Sequence, residues 1–174
     1  MIEALGGRVC DGLERTKIPL ESASMDLCHS GNALEHYEPR QLMAFLDECH
    51  RVLRVGGVAS HVIDHRDHLH HVDRAWPFLL HRALPGGIYQ GLFGHPLLYH
   101  NRLGPPRVMQ LLEQAGFERV VVRRAGVDFR YVSEEELLGK PAGLPPWALR
   151  YAPPMSGLDL RTAYAHYVYR KVGP

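Results

Sequence analysis

No apolar run in the chain approaches the ~18 residues that a membrane-spanning helix needs, so a membrane protein of that kind is not expected. Net charge is also missing: the formal total is +1 over 174 residues. A field that weak recommends neither nucleic acid nor a membrane surface as partner, and pairs such as Arg123-Arg124 read as solvated surface. Cysteine is scarce. Cys10, Cys28 and Cys49 match no zinc or redox spacing and read as free thiols in a reducing cytoplasm. The first twelve residues, "MIEALGGRVCDG", lack the basic and apolar regions of a signal peptide, which again points to a cytoplasmic, soluble protein. Repeats, low-complexity tracts and an HExxH helix are absent too, so solenoids and that type of metalloprotease drop out.

What is present is a chain of 45% hydrophobic and 22% charged residues, long enough for one domain with a real core. "SMDLCHS" (residues 24–30) alternates and ends in small polar residues, predicting a strand that runs into a loop. "PRQLMAFLDECHRVLRVGG" predicts a helix. Pro39 sits in its first turn, Leu42, Phe45, Leu46, Cys49, Val52 and Leu53 form one face, and Gly56-Gly57 are expected to cap its end. "VASHVID" then reads as a second strand ending at Asp64. Strand, helix, strand is the crossover unit of a parallel sheet, and such sheets bind ligands beyond the carboxyl ends of their strands. Two stretches fall there, "HSGNALEH" and "DHRDHLHH". Farther on, "DRAWPFLLHRAL" predicts a helix started or interrupted near Pro77, and the Gly/Pro-rich "LPGGIYQGLFGHP" an irregular loop. "PPRVMQLLEQAGF" predicts a helix with Val108, Leu111, Leu112 and Ala115 inside and Gly116 as its stop. "ERVVVRRAG" reads as a strand, "SEEELL" as a short capped helix, residues 139–157 as an ordered excursion, and "AYAHYVYRK" as a closing strand.

The segment "IPLESASMDLCHSGNALEHY…LDECHRVLRVGG" resembles the class I S-adenosylmethionine-dependent methyltransferases of the type-11-like branch. Asp11-Gly12, Pro19, Asp26-Leu27, Ser30, Leu34-Glu35-His36, Arg51-Val52-Leu53 and Gly56-Gly57 carry the match, while Met25 and Val55 replace the usual Phe and Pro. "SHVIDHRDHLHHVDR", "LLYHNRL" and "LLEQAGFERV" extend the likeness to a bacterial subgroup. The resemblance implies an α/β fold: a partial Rossmann-like sheet with helices on both faces and an antiparallel C-terminal strand. One domain is expected, with cofactor-side strands and crossover in 1–64, a substrate-side loop region in 65–104, and a C-terminal helix and strands in 105–174. It also implies a Gly-rich turn and an acid-tipped strand ahead of Arg8, which the sequence does not show. The chain therefore reads as the C-terminal portion of such a domain, with doubtful binding of S-adenosylmethionine on its own. The strand "MDLCH" should then present an open edge, to be covered by a second copy or a partner chain.

Site candidates follow, each beside its plainer reading. The resemblance places Asp11, with Gly12, against the cofactor's adenine; an Asp-Gly pair is equally a turn. Ser30, Gly31 and Asn32 would border the methionine part of the cofactor, or serve as helix-entry residues. His36 is either a proton acceptor or a structural histidine on a backbone carbonyl. Residues 61–71, "HVIDHRDHLHH", hold five histidines and two aspartates, but the spacing does not converge three or four ligands. No metal site is assigned, and a loosely held Mg²⁺ on Asp64 and Asp67 is the weaker reading. The stronger reading is a substrate-side loop with His68 as base and Asp64 or Asp67 orienting it. Asn101 and Arg102 would bind substrate, Arg102 alternatively pairing with a loop aspartate. The function expected is methylation of a small-molecule or saccharide hydroxyl. The alternative is a non-catalytic methyltransferase-like binding or assembly subunit, with a metal-dependent hydrolase third.

Overall fold

The structure is a computed structural model that describes residues 17–93 and 99–173. β1 (Met25–Gly31) passes through a 3-10 turn at Leu34–His36 into α1 (Pro39–Val52) and returns as β2 (Leu53–Asp64), parallel to β1. Two local signals start α1. Pro39 occupies the first helical position, where its missing N–H costs nothing, and the Glu38 amide donates to Gln41 Oε1 at 3.2 Å. The helix buries Leu42, Leu46, Cys49 and Val52, the face that the three- and four-residue spacing predicts.

The glycine cap expected for this helix is not where it ends. α1 stops at Val52, Leu53 is already extended, and Gly56 and Gly57 lie inside β2. There the register moves from Met25↔Leu53 to Leu27↔Val58, so residues 54–57 bulge opposite Asp26 alone. Gly56 takes φ +83° to make the bulge, and at Gly57 a Cβ would stand 2.9 Å from the Arg54 carbonyl oxygen. The bulge is tied down by Arg54 Nε to Asp26 Oδ1 at 2.5 Å.

Beyond β2 come three short helices, α2 (Leu69–Val72), α3 (Leu80–Ala83) and α4 (Gly86–Phe93). The helix predicted around Pro77 shrinks to α3. The irregular loop predicted for the Gly/Pro-rich stretch is corrected by α4. Its glycines disfavour a helix locally, but the Tyr89 hydroxyl donates to Asp67 Oδ1 at 2.9 Å and Phe93 stacks edge-on against Trp76. Long-range contacts thus outweigh local preference. α5 (Pro105–Gln114) buries Val108, Leu111 and Leu112, and Gly116 at φ +89° ends it. β3 (Phe117–Ala125) and β4 (Tyr131–Val132) follow, then α6 (Glu134–Leu138), α7 (Pro146–Leu149) and β5 (Tyr164–Lys171). Ser133 caps α6 by accepting from the Glu136 amide at 3.1 Å.

The sheet order is β1-β2-β5-β3-β4, with β5 antiparallel to both β2 and β3. The main core lies between this sheet and the helices α1 and α5, where Leu42, Leu46, Leu111 and Leu112 meet Tyr167 and Tyr169. A second cluster around Phe78, Leu79, Ala125, Leu144 and Tyr164 fills the end of the sheet at which β2 terminates. Cys28 and Cys49 are free thiols within hydrogen-bonding reach of each other. β1 pairs only with β2 among the described residues, and Leu27 in its middle is 56% exposed. No helix of the described residues is long and apolar enough to cross a membrane.

Candidate functional site

β1 and β2 run parallel, so Gly31 and Asp64 finish at one end of the sheet, where a parallel pair offers backbone groups to a ligand. Ser30, Gly31 and Asn32 form the turn there. Ser30 Oγ lies 2.8 Å from His61 Nδ1, a Cβ on Gly31 would meet nothing within 4 Å, and Asn32 holds φ +50° while its amide donates to the Val62 oxygen. The turn is therefore fixed by β2, and no described residue packs against Gly31. Asp11 and Gly12 lie outside the described residues.

Glu35 follows this turn and is buried, with Oε2 unpartnered among the described residues. Burial first, and the Asp64 carboxylate second, raise its pKa to about 7. A carboxyl poised near neutrality at a strand's carboxyl end is a proton-handling candidate, and the sequence reading used Glu35 only as part of a motif. Its flanking Ala33 and Leu34, apolar at a strand exit, were the available signal that it would be enclosed.

The histidines of four segments meet beside it. His68 stands with its ring centroid 5.0 Å from His36, 4.9 Å from His100 and 6.0 Å from His71, and His100 lies 4.7 Å from His81. His36 Nδ1 is 3.0 Å from the Tyr99 oxygen, so as a neutral ring donating there it keeps a lone pair on Nε2. Desolvation lowers His100 to about 4, with the neighbouring His68 adding to the effect. His81 is held well below its ordinary value by burial and then by His100. His61 falls to about 4 for the same first reason, and fully buried His65, bonded to the Tyr167 hydroxyl at 2.8 Å, is also lowered. His61 and His65 thus belong to the core, not to the group around His68.

The two aspartates expected to orient His68 have other partners. Asp64 accepts from Arg66 Nε at 3.0 Å and Nη2 at 2.9 Å, and lies 3.2 Å from His71 Nε2. The Arg66 guanidinium also donates to the Tyr164 hydroxyl and lies over the rings of Tyr164 and Phe129. Asp67, fully buried, accepts from the Leu69 amide, Trp76 Nε1, the His81 amide and the Tyr89 hydroxyl. It builds the loop, and its bond from the Leu69 amide fixes the turn that follows His68. Asn101 spends its amide on the Leu34 and Tyr37 oxygens. Among the described residues Arg102 pairs with no aspartate; it donates to the backbone oxygens of His81, Arg82 and Leu84. Among the described residues no three His, Cys, Asp or Glu side chains converge as metal ligands.

Ser30, Gly31 and Asn32, at this end of the sheet, are the residues that could hold a cofactor. The fold is that of the class I S-adenosylmethionine-dependent methyltransferases: a Methanosarcina mazei S-adenosylmethionine-dependent methyltransferase superposes with TM-score 0.55 at 11% identity, covering 93% of this chain and 66% of that one. A Bacillus halodurans methyltransferase gives 0.55 at 14%, covering 97% and 79%. A chain from the Haloferax volcanii complex between the Trm112 methyltransferase activator and a methyltransferase gives 0.52 at 12%, covering 92% and 60%. The chain thus spans about two thirds or less of two of these three relatives. Residues 8–60 match the family model of a methyltransferase domain. No curated protein matches the sequence.

Proposed function

We propose that the chain is the substrate-side part of an S-adenosylmethionine-dependent methyltransferase acting on the hydroxyl of a small molecule or saccharide. The observation that carries this reading is the carboxyl end of a parallel strand pair, where no described residue packs within 4 Å of a Cβ placed on Gly31 and where Glu35 and the histidines gather. Bound cofactor would supply an electrophilic methyl group on its sulfonium. The chain's own task is to present an acceptor oxygen and take its proton. His68 is the base in this reading, held among His36, His71 and His100, where burial keeps the His100 ring neutral. Asp67 is a positioning residue: it accepts from the Leu69 amide at 3.0 Å and so fixes the first turn of α2, which starts just after His68. Asp64, closed off by Arg66, fixes the direction in which β2 ends.

The sequence shows no Gly-rich turn, so these 174 residues alone are expected to bind the cofactor weakly. Calorimetric titration of the chain with S-adenosylmethionine, together with transfer of a labelled methyl group to a panel of sugar and phenolic hydroxyls, tests the proposal. Cofactor-dependent labelling that His68→Ala abolishes without changing cofactor affinity supports it. Labelling unaffected by that substitution, or none at saturating cofactor, sinks it.

A second reading, a non-catalytic binding or assembly subunit, is favoured by one feature: the β1 edge, open among the described residues and bearing the exposed Leu27. One structural neighbour is itself part of a complex with an activator protein. Sedimentation separates the readings, because an assembly subunit should form a stable dimer or heteromer through that edge while showing no labelling.

A further inference from the structure

Where the turn after α2 meets the β3–β4 connection, the chain encloses a cavity of about 400 Å³ that His68 does not line. Trp76, Pro77, Phe78 and Pro141 make its walls mainly apolar. Trp76 is held from outside the cavity, its Nε1 donating to Asp67 Oδ2 at 3.1 Å. Buried Phe78 meets the His70 ring edge-on, with centroids 6.0 Å apart. A preformed apolar cleft of this size, carrying few polar groups, is the form that small-molecule sites take.

One polar atom meets the cavity from a side chain that is otherwise enclosed. His70 lines it, is 6% exposed, and donates from Nδ1 to the Trp76 oxygen at 2.7 Å. As a neutral ring it therefore keeps its lone pair on Nε2, an acceptor that is not sealed from solvent and has no partner among the described residues. Such an acceptor asks for a ligand O–H or N–H and gives nothing to an ether. Three cations, Arg74, Lys140 and Arg161, stand round the cavity against one carboxylate, Asp128, which Lys140 already holds at 2.7 Å. Arg161 is pinned by its bonds to the Lys140 oxygen at 2.8 Å and the Gly157 oxygen at 2.9 Å. A positive rim favours the face of an electron-rich ring over a saturated one and repels a cationic ligand. An aromatic hydroxyl meets both demands, because its O–H is a strong donor and its ring is electron-rich.

We propose that this cavity binds a small neutral molecule bearing an aromatic hydroxyl, its ring against Trp76 and its O–H donating to His70 Nε2. The site does not depend on methyl transfer, so its binding test can succeed or fail independently of the catalytic reading.

The experiment is calorimetric titration of the full chain with para-cresol, para-methylanisole and para-methylcyclohexanol. The anisole keeps the ring and loses the donor, while the cyclohexanol keeps a hydroxyl and loses the ring. Para-cresol should bind roughly fivefold tighter than either, the worth of one hydrogen bond or one ring contact. His70→Asn retains a side-chain amide for the Trp76 oxygen but has no acceptor at Nε2, so it should bring the cresol and the anisole to equal affinity. A purely structural role for His70 would weaken both ligands alike and leave their ratio unchanged. Ala142→Phe, an exposed change in the lining, should abolish binding by filling the space while leaving the melting temperature unchanged. His68→Ala should bind para-cresol as the wild type does. No binding of para-cresol at ~10 mM, which excludes even millimolar affinity, would overturn the proposal. So would equal affinity for the anisole or the cyclohexanol, a His70→Asn chain that keeps its preference for the cresol, an Ala142→Phe chain that binds normally, or a His68→Ala chain that does not bind.

Discussion

Asp67 offers the sharpest test of how the loop after β2 is built. Its carboxylate is fully buried and accepts four hydrogen bonds: Oδ1 from the Leu69 amide at 3.0 Å and the Tyr89 hydroxyl at 2.9 Å, Oδ2 from Trp76 Nε1 at 3.1 Å and the His81 amide at 3.0 Å. One side chain therefore ties α2, the Trp76 turn, α3 and α4 together. Asp67→Ala strands all four donors. At ~1–3 kcal/mol for a buried donor left unpaired, and less for the half-buried Leu69, Trp76 and Tyr89 donors that can turn to water, the loss is about 3–5 kcal/mol. Asp67→Asn is the more discriminating change. Its amide nitrogen must face two donors whichever way it turns. The better orientation faces the Tyr89 hydroxyl, which can rotate and accept, so chiefly the Leu69 amide is stranded, at about 2 kcal/mol. Urea unfolding in a Trp147→Phe background, followed by Trp76 fluorescence, measures both. The expected order is wild type, then Asn, then Ala, with Trp76 shifted to the red in the Ala variant before global unfolding. An Ala variant within ~1 kcal/mol of wild type would refute the reasoning, because stranding the buried His81 amide together with three half-buried donors should cost more than that.

Stability should also depend on pH with a known sign. His61 and His100 sit at about 4 when folded, below the ordinary 6.5, so their contribution is present above pH 6.5 and is lost as pH falls toward 4, at about 3 kcal/mol each. Glu35 works the other way: raised from 4.5 to about 7, it favours the fold below pH 4.5 and progressively less as pH climbs to 7. Between 4.5 and 6.5 the imidazoles outnumber the carboxyl, since His65 and His81 are lowered too, so urea midpoints should fall on acidification. Glu35→Gln should match wild type at pH 4 and exceed it at pH 8 by up to about 3 kcal/mol; equal midpoints at pH 8 would contradict the assignment. Gly56→Ala should cost about 1–2 kcal/mol from its φ of +83° alone, since a Cβ there touches nothing, and a thermal melt reads it. Leu27→Lys should suppress any concentration-dependent association in sedimentation while leaving the melting temperature within error.

The parts of the fold readable in advance are those where one local rule suffices. α1 and α5 announce themselves by apolar residues at helical spacing, α6 by Ser133, and β5 by alternation that puts Ala165, Tyr167 and Tyr169 inside. The parts that resisted are governed by partners far along the chain. α4 forms in a Gly-rich stretch because Tyr89 reaches back 22 residues to Asp67. Gly56 and Gly57 follow a helical pattern, so a cap was the simplest inference, yet the register of β1 against β2 claims them for a bulge. Histidine density in residues 61–71 signalled polarity without direction: His61 bonds Ser30, His65 bonds Tyr167, His70 bonds the Trp76 oxygen, and only His68 and His71 join the ring cluster. Asn101 and Arg102, read as substrate partners with Arg102 alternatively on a loop aspartate, satisfy backbone oxygens at Leu34 and Tyr37 and at His81 and Leu84. A buried loop needs such side chains because its carbonyls lack a ladder.

The distribution of buried charge decides what the histidines can do. Asp64 is matched by Arg66 and Asp159 by Arg124, while Asp67 is consumed by four neutral donors. None of these carboxylates is left over to balance a buried imidazolium. Consistent with that, His61, His65, His81 and His100 are all pushed toward the neutral form, burial being the first cause in each. Neutral rings can accept a proton and cannot supply fixed positive charge. Among the described residues at this end of the sheet, Glu35, raised to about 7, is a carboxyl able to share a proton with a neighbouring ring near neutral pH.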